Sequence, residues 1–229
     1  MKRRTLDIIF ATGGVVIALA IFILGLVLAD QYNWGKEYVK EELAAQKITF
    51  AAADKLTDDE KNWKPGSVCL VENAGKVMET GKQAECYAKY YIGMHLDKSA
   101  KTAAVDGKSM GWEGQTYATM GTVQADLKAK IATAQGDEKA TLEKQLAAAN
   151  GLRSTLQTGE TLRGLLLTSY GFSIFGDKAN TVAQICYGVG VLLLIISAAG
   201  FVHAWVAKDD TLFDARGVGA APGKAAPVA

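Results

Sequence analysis

The sequence predicts a mainly α fold: two transmembrane helices and, between them, an extracytoplasmic helical domain containing a helical hairpin and one disulfide. Three observations predict it. Ile8–Ala29 and Thr181–Ala207 are long apolar runs without Asp, Glu, Lys or Arg. A helix of about 20 apolar residues crosses a ~30 Å hydrocarbon layer, so each run is long enough to span. Residues 30–180 between the runs carry amphipathic helical patterns and two of the three cysteines. That length suffices for one modest domain with its own core.

The element order starts at a basic flank. Lys2, Arg3 and Arg4 precede the first run, and positive flanks stay cytoplasmic. Residues 1–7 are then a cytoplasmic N-terminus and 8–29 the first span. A cleaved signal peptide is the competing reading, with Val27-Leu28-Ala29 as its cleavage site. Signal-peptide apolar cores are about 7–15 residues long, which favours a retained anchor. Either way, residues 30–180 face outward. A second span at 181–207 returns the chain to the cytoplasm, and 208–229, ending in small residues and Pro, is a disordered tail.

Within the middle domain, Asp30–Gln46 reads as a helix leaving the membrane, with Tyr32 and Trp34 where interfacial aromatics are expected. Ile48–Phe50 is a short apolar patch, and Asp54–Gly66 a charged loop closed by Pro-Gly. Val68–Ala74 is a strand or a helical turn. Thr80 caps a helix to about Leu96, with Ala84, Tyr87, Tyr91 and Met94 on one face. Asp97–Gly114 has loop composition and no period. Two apolar stripes follow: Val123, Leu127, Ile131 and Ala134, then Leu142, Leu146, Ala149, Leu152 and Leu156. Gly136 and Asp137 between them suit a helix end and a helix start. Two antiparallel helices are expected, with one bent helix as the alternative. Residues 159–176 are apolar but too short to span. They are either a helix at the membrane surface or the domain's central core helix.

Cys69 and Cys86 both fall in the exported domain, where thiols oxidise, and are expected to form a disulfide. A metal site is disfavoured, because the pair lacks C-x-x-C spacing and only His95 is nearby. Cys186 lies inside the second run and acts there as a small apolar residue. Small residues four apart, Gly14 with Ala18 and Gly25 with Ala29, are candidates for close helix packing.

Composition narrows the chemistry. Between Asp30 and Lys178, 19 basic and 20 acidic residues nearly cancel, so no basic face argues for nucleic acid. The paired carboxylates Glu41-Glu42 and Asp58-Asp59-Glu60 sit among lysines, as on a solvated surface. Gly107-Lys108-Ser109-Met110-Gly111 matches G-x-S-x-G, but no convincing strand precedes it, and the one later histidine, His203, lies across the bilayer. His203 beside Trp205 reads as an interfacial anchor, and His95 as a packed polar residue. No catalytic residue, cofactor or metal ligand is assigned, and the chain is not expected to be an enzyme.

The segments MKRRTLDIIF, GKQAECYAKYYIGMHL and GETLRGLLLTSYGFSIFG resemble a group of uncharacterised two-span membrane proteins from actinobacteria. That resemblance implies a bacterial plasma membrane and brings no activity, cofactor or site residue with it. The expected function is a non-enzymatic accessory or scaffold protein. It would be embedded in the lipid bilayer and bind another membrane protein or further copies of itself. Leu162, Leu165, Leu166, Tyr170, Phe172 and Phe175 are the candidate surface, with the helix pair Val123–Leu156 as a second one. The alternative is an extracytoplasmic ligand sensor that signals through a partner.

Overall fold

The structure is a computed structural model describing residues 3–206, so the expectations for the tail lie outside the described residues. The chain is mainly helical. In order, the α-helices are α1 (Arg3–Ala45), α2 (Asp58–Asn62), α3 (Val68–Glu72), α4 (Gly81–Cys86), α5 (Gly93–Lys101), α6 (Tyr117–Thr133) and α7 (Gly136–Val206). Pro65–Ser67 forms a single 3₁₀ turn, and Tyr87–Ile92 a π-helical segment joining α4 to α5. The short strands β1 (Ala104–Val105) and β2 (Lys108–Ser109) pair antiparallel.

The chain divides into two compact units. One comprises the described residues of Met1–Tyr32 and Lys178–Ala229, and the other is Asn33–Asp177.

In the first unit, two helices pack through small residues. Ala11, Ala18, Ala183, Cys186, Ser197 and Ala204 are buried between them. The backbones approach closely enough that a Cβ on Gly25 would lie 2.8 Å from the Tyr187 ring, and one on Gly200 3.2 Å from Ala11 Cβ. Phe22 and Tyr187 rings meet at 5.3 Å. The outward faces carry Phe10, Ile17, Ile23, Leu192, Ile195 and Val202, all exposed. Both helices are long and apolar enough to cross a membrane, and only 17% of each apolar window is buried.

The second unit holds the hydrophobic core: Leu43, Phe50, Leu70, Met78, Met120, Leu152, Leu156 and Leu166 are among its buried members. Thr80 opens α4 with a capping box, its Oγ1 accepting from Gln83 N–H while the Gln83 side chain accepts from Thr80 N–H. Ala84 is in the core, Tyr87 and Tyr91 pack against it, and Met94 is buried. The face expected from their spacing is therefore the packed face. Met78 N–H donates to Ile48 C=O and Phe50 N–H to Lys76 C=O, which straps the apolar patch 48–50 to residues 76–78.

Two segments differ from the loop expectations, and a third from its expected bounds. Asp54–Gly66 contains α2, opened by a Thr57–Glu60 capping box in which Glu60 is buried. Asp97–Gly114 begins as the end of α5 and continues as the β1–β2 pair. Its turn residues Asp106 and Gly107 both have positive φ (48° and 78°), the backbone a two-residue type I′ connection requires. Residues 159–176 are no separate segment: α7 runs without interruption from Gly136 to Val206. Val68–Ala74 resolves as helix, in α3.

The Cys69–Cys86 disulfide is present, joining α3 to the end of α4.

Candidate interaction surfaces

The apolar stretch of α7 in the second unit faces two ways. Leu166 is buried in the core and Leu162 packs against it, so neither is free to meet a partner. The two are four residues apart and extend the stripe of Leu152 and Leu156. Leu165, expected on the same face as Leu166, is instead 63% exposed. A helix turns about 100° per residue, which carries Leu165 off the core side. Phe172, seven residues on from Leu165, returns to the same bearing and is 67% exposed; Phe175 is 76% exposed.

Arg163 points into the domain. Its Nε donates to Ala88 C=O at 3.0 Å. Ala88 lies in the π segment, and its carbonyl also accepts from Gly93 N–H, five residues on. The wider π turn presents that carbonyl to α7, and Arg163 ties the two elements together.

Beside the exposed row, Tyr170 anchors a charged cluster. Lys82 Nζ donates to Tyr170 Oη at 3.0 Å and to Glu85 Oε2 at 3.2 Å, and Lys89 Nζ donates to Glu85 Oε1 at 2.6 Å. Lys82 sits 4.8 Å and Lys89 5.9 Å from the Tyr170 ring centroid, within cation–π range. The Tyr170 hydroxyl, then Glu85, raises the Lys82 pKa above its ordinary value. Burial works to raise Glu85, but hydrogen bonds from Lys89 and Lys82 outweigh it and leave its carboxyl below the ordinary range. The Glu85 hydrogen bond likewise raises Lys89. The i, i+3 and i, i+4 spacing of Lys82, Glu85 and Lys89 was visible in the sequence. Their link to Tyr170, 88 residues from Lys82, was not.

The aromatic side of the same helical run forms a ladder. Phe50, Tyr87, Tyr91 and His95 follow one another at ring separations of 5.4, 4.6 and 4.3 Å. Burial and the neighbouring Tyr91 push the Tyr87 hydroxyl up to about 12. His95 Nδ1 lies 2.9 Å from Tyr91 C=O, and its Nε2 3.8 Å from the buried Glu60 carboxylate.

In the first unit, Gly14 faces Ser197, Ala18 is fully buried with its carbonyl near Gly190, and Gly25 faces Tyr187 and Cys186. Ala29 is only half-buried. At the other end of this helix pair His203 Nδ1 lies 3.0 Å from Asp7 Oδ2, an ion-pair geometry that the sequence reading of His203 missed.

Ser109 is exposed on β2, and its Oγ accepts from Gly111 N–H at 3.3 Å. Irregular chain follows it up to α6, so the strand–turn–helix geometry of a nucleophile elbow is not built there. Among the described residues, no three His, Cys, Asp or Glu side chains are grouped to hold a metal ion.

No protein-family model, curated protein or solved structure matches this chain.

Proposed function

We propose that this chain is a non-enzymatic integral membrane accessory or scaffold protein, similar to two-span actinobacterial proteins. Its two long apolar helices cross the plasma membrane, both termini are cytoplasmic, and residues 30–180 face outward. The antiparallel hairpin of α6 and the first turns of α7 stiffens that domain. One observation carries the binding role: Leu165, Phe172 and Phe175 form an exposed apolar row on α7. Exposed apolar side chains beside polar groups are the composition of a protein-binding patch, with aromatic anchors supplying most of the energy. Lys82, Lys89 and Tyr170 supply a polar rim next to it.

Membrane residence is supported by the lipid-like outward faces of both spans, whose exposed Ile, Leu, Val and Phe side chains favour an apolar surrounding. Outward topology is supported by Lys2, Arg3 and Arg4 before the first span and by a disulfide, which belongs to an oxidising compartment.

The test is co-purification of the full chain from membranes in mild detergent. A stoichiometric membrane-protein partner, or a defined homo-oligomer, is expected with the wild type and is lost in Phe172→Ser/Phe175→Ser. A chain that is monomeric and partner-free under all mild extraction conditions refutes the reading. A small molecule retained instead of a protein supports the ligand-sensor alternative.

A further inference from the structure

We propose that the outward face of α7 between Thr161 and Phe175 is the surface through which two copies of this chain pair, parallel and helix against helix. This names the partner in the scaffold reading above and rests on that reading.

The inward side of this stretch is taken up by the domain. Leu166 is buried, Arg163 Nε donates to Ala88 C=O, and a Cβ on Gly159 would lie 2.4 Å from the Leu96 side chain. The outward side repeats every seven residues. Thr161, Thr168 and Phe175 form one line, Gly164 and Gly171 a second, and Leu165 and Phe172 a third. A seven-residue period keeps one seam of a helix turned toward a partner helix over several turns. Glycine inside a helix costs stability. The domain's own packing does not need these two, because a Cβ on Gly164 or Gly171 meets nothing within 4 Å. Beside each gap stands a bulky exposed neighbour, Leu165 or Phe172. In a parallel pair related by a two-fold axis, each glycine lies opposite its counterpart, and the partner's Leu165 or Phe172 fills the space beside it. The face is complementary to itself, as a two-fold interface requires.

Charge and area point the same way. Between Ser154 and Gly176 the charged residues are Glu160 and Arg163, and they pair with each other within the chain. Two copies therefore meet there without like-charge repulsion, and an acidic or basic partner has no complementary charge to read. The stretch is about 34 Å long, and a helix is about 10 Å wide, so the footprint is about 340 Å² per copy. Freely diffusing proteins bury about 800 Å² each in a standard interface. Two copies held in one bilayer by their apolar helices are already restricted in orientation, so less lost freedom opposes the contact. The shared membrane also sets them parallel.

The experiment uses the full chain in membranes. Thr168→Cys should give a covalent dimer on mild oxidation, because residue 168 meets its own counterpart. Thr155→Cys, exposed about 140° round the same helix, should not. Nor should the wild type, in which Cys69 and Cys86 are bonded and Cys186 is buried. In mild detergent the wild type should be a dimer by native mass spectrometry. Gly164→Leu/Gly171→Leu fills both gaps and should raise the dimer dissociation constant by about tenfold or more, in a chain that keeps its helicity and disulfide. Equal crosslinking at positions 155 and 168, a monomeric wild type, or a dimer indifferent to the glycine substitutions overturns the proposal. If a different membrane protein co-purifies with a monomeric wild type and is lost in Phe172→Ser/Phe175→Ser, the pairing falls and the scaffold reading stands. If the monomer retains no protein at all, both fall.

Discussion

Gly13 and Gly14 are adjacent, yet a Cβ on Gly13 meets nothing within 4 Å while one on Gly14 runs into the Ser197 side chain. A one-residue step on a helix turns the added atom from the outward face to the seam between helices. Gly14→Leu should therefore loosen the helix pair at a cost of roughly 1–3 kcal/mol, and Gly13→Leu should be nearly neutral. Thermal unfolding in detergent followed by circular dichroism separates them. Glu85 gives a second prediction. Its folded pKa lies below the ordinary value, so it contributes stability above about pH 4.5 that is lost as pH falls through the depressed folded value. Glu85→Gln should flatten the acid limb of the melting-temperature profile and leave the neutral region nearly level. Tyr87 acts at the other extreme. Its hydroxyl is raised from 10.0 to about 12, so stability should fall as pH climbs through that interval, and Tyr87→Phe should remove that slope.

At the scale of elements, α7 concentrates the contrast between core and surface. Leu165 and Leu166 are neighbours with opposite environments. Leu166→Ala empties a packed site and should cost about 2–5 kcal/mol of stability. Leu165→Ser removes exposed apolar surface and should change stability by less than about 0.5 kcal/mol. Under the scaffold reading it should still weaken partner retention. Denaturant unfolding checks the first outcome and co-purification the second. The disulfide constrains α3 and α4 across 17 residues of chain. Closing a loop of that length is worth about 3 kcal/mol in the chain-entropy account, so Cys69→Ser/Cys86→Ser should lower the unfolding free energy by a comparable amount. The loss should be visible against the wild type and absent when both are assayed in reductant.

For the whole molecule, the decisive measurement concerns sidedness. Cys186 is buried between the two long apolar helices, so Cys69 and Cys86 dominate any thiol signal. Under the proposed outward topology, an impermeant thiol reagent added to intact cells should label the chain only after reduction. Labelling without reduction contradicts a closed disulfide in the cell, and none after reduction contradicts an outward-facing, accessible pair. Much of the architecture could be read beforehand. The apolar runs, the Thr80 helix start and the Cys69–Cys86 pairing each rest on a local or compositional signal. Other local signals were present and passed over: Thr57 with Glu60 spells a capping box, and Asp106-Gly107 spells a two-residue turn. The candidate surface was legible only in part. Periodicity placed Leu162 to Phe175 on a helix, but eight apolar or aromatic residues within 14 positions fill more than one face, and no sequence period says which face the core will take.

The sequence alone determined that the chain has two apolar helices long enough to span, a mainly helical remainder and a bonded cysteine pair. These follow from local composition, capping and redox chemistry, each acting within a few residues. Only the tertiary structure decided that Leu166 is core while Leu165 is surface, that Arg163 reaches the Ala88 carbonyl, and that Tyr170 gathers Lys82, Glu85 and Lys89. Those outcomes depend on which helix faces meet, and residues 75 or 88 positions apart become neighbours only once the chain has folded.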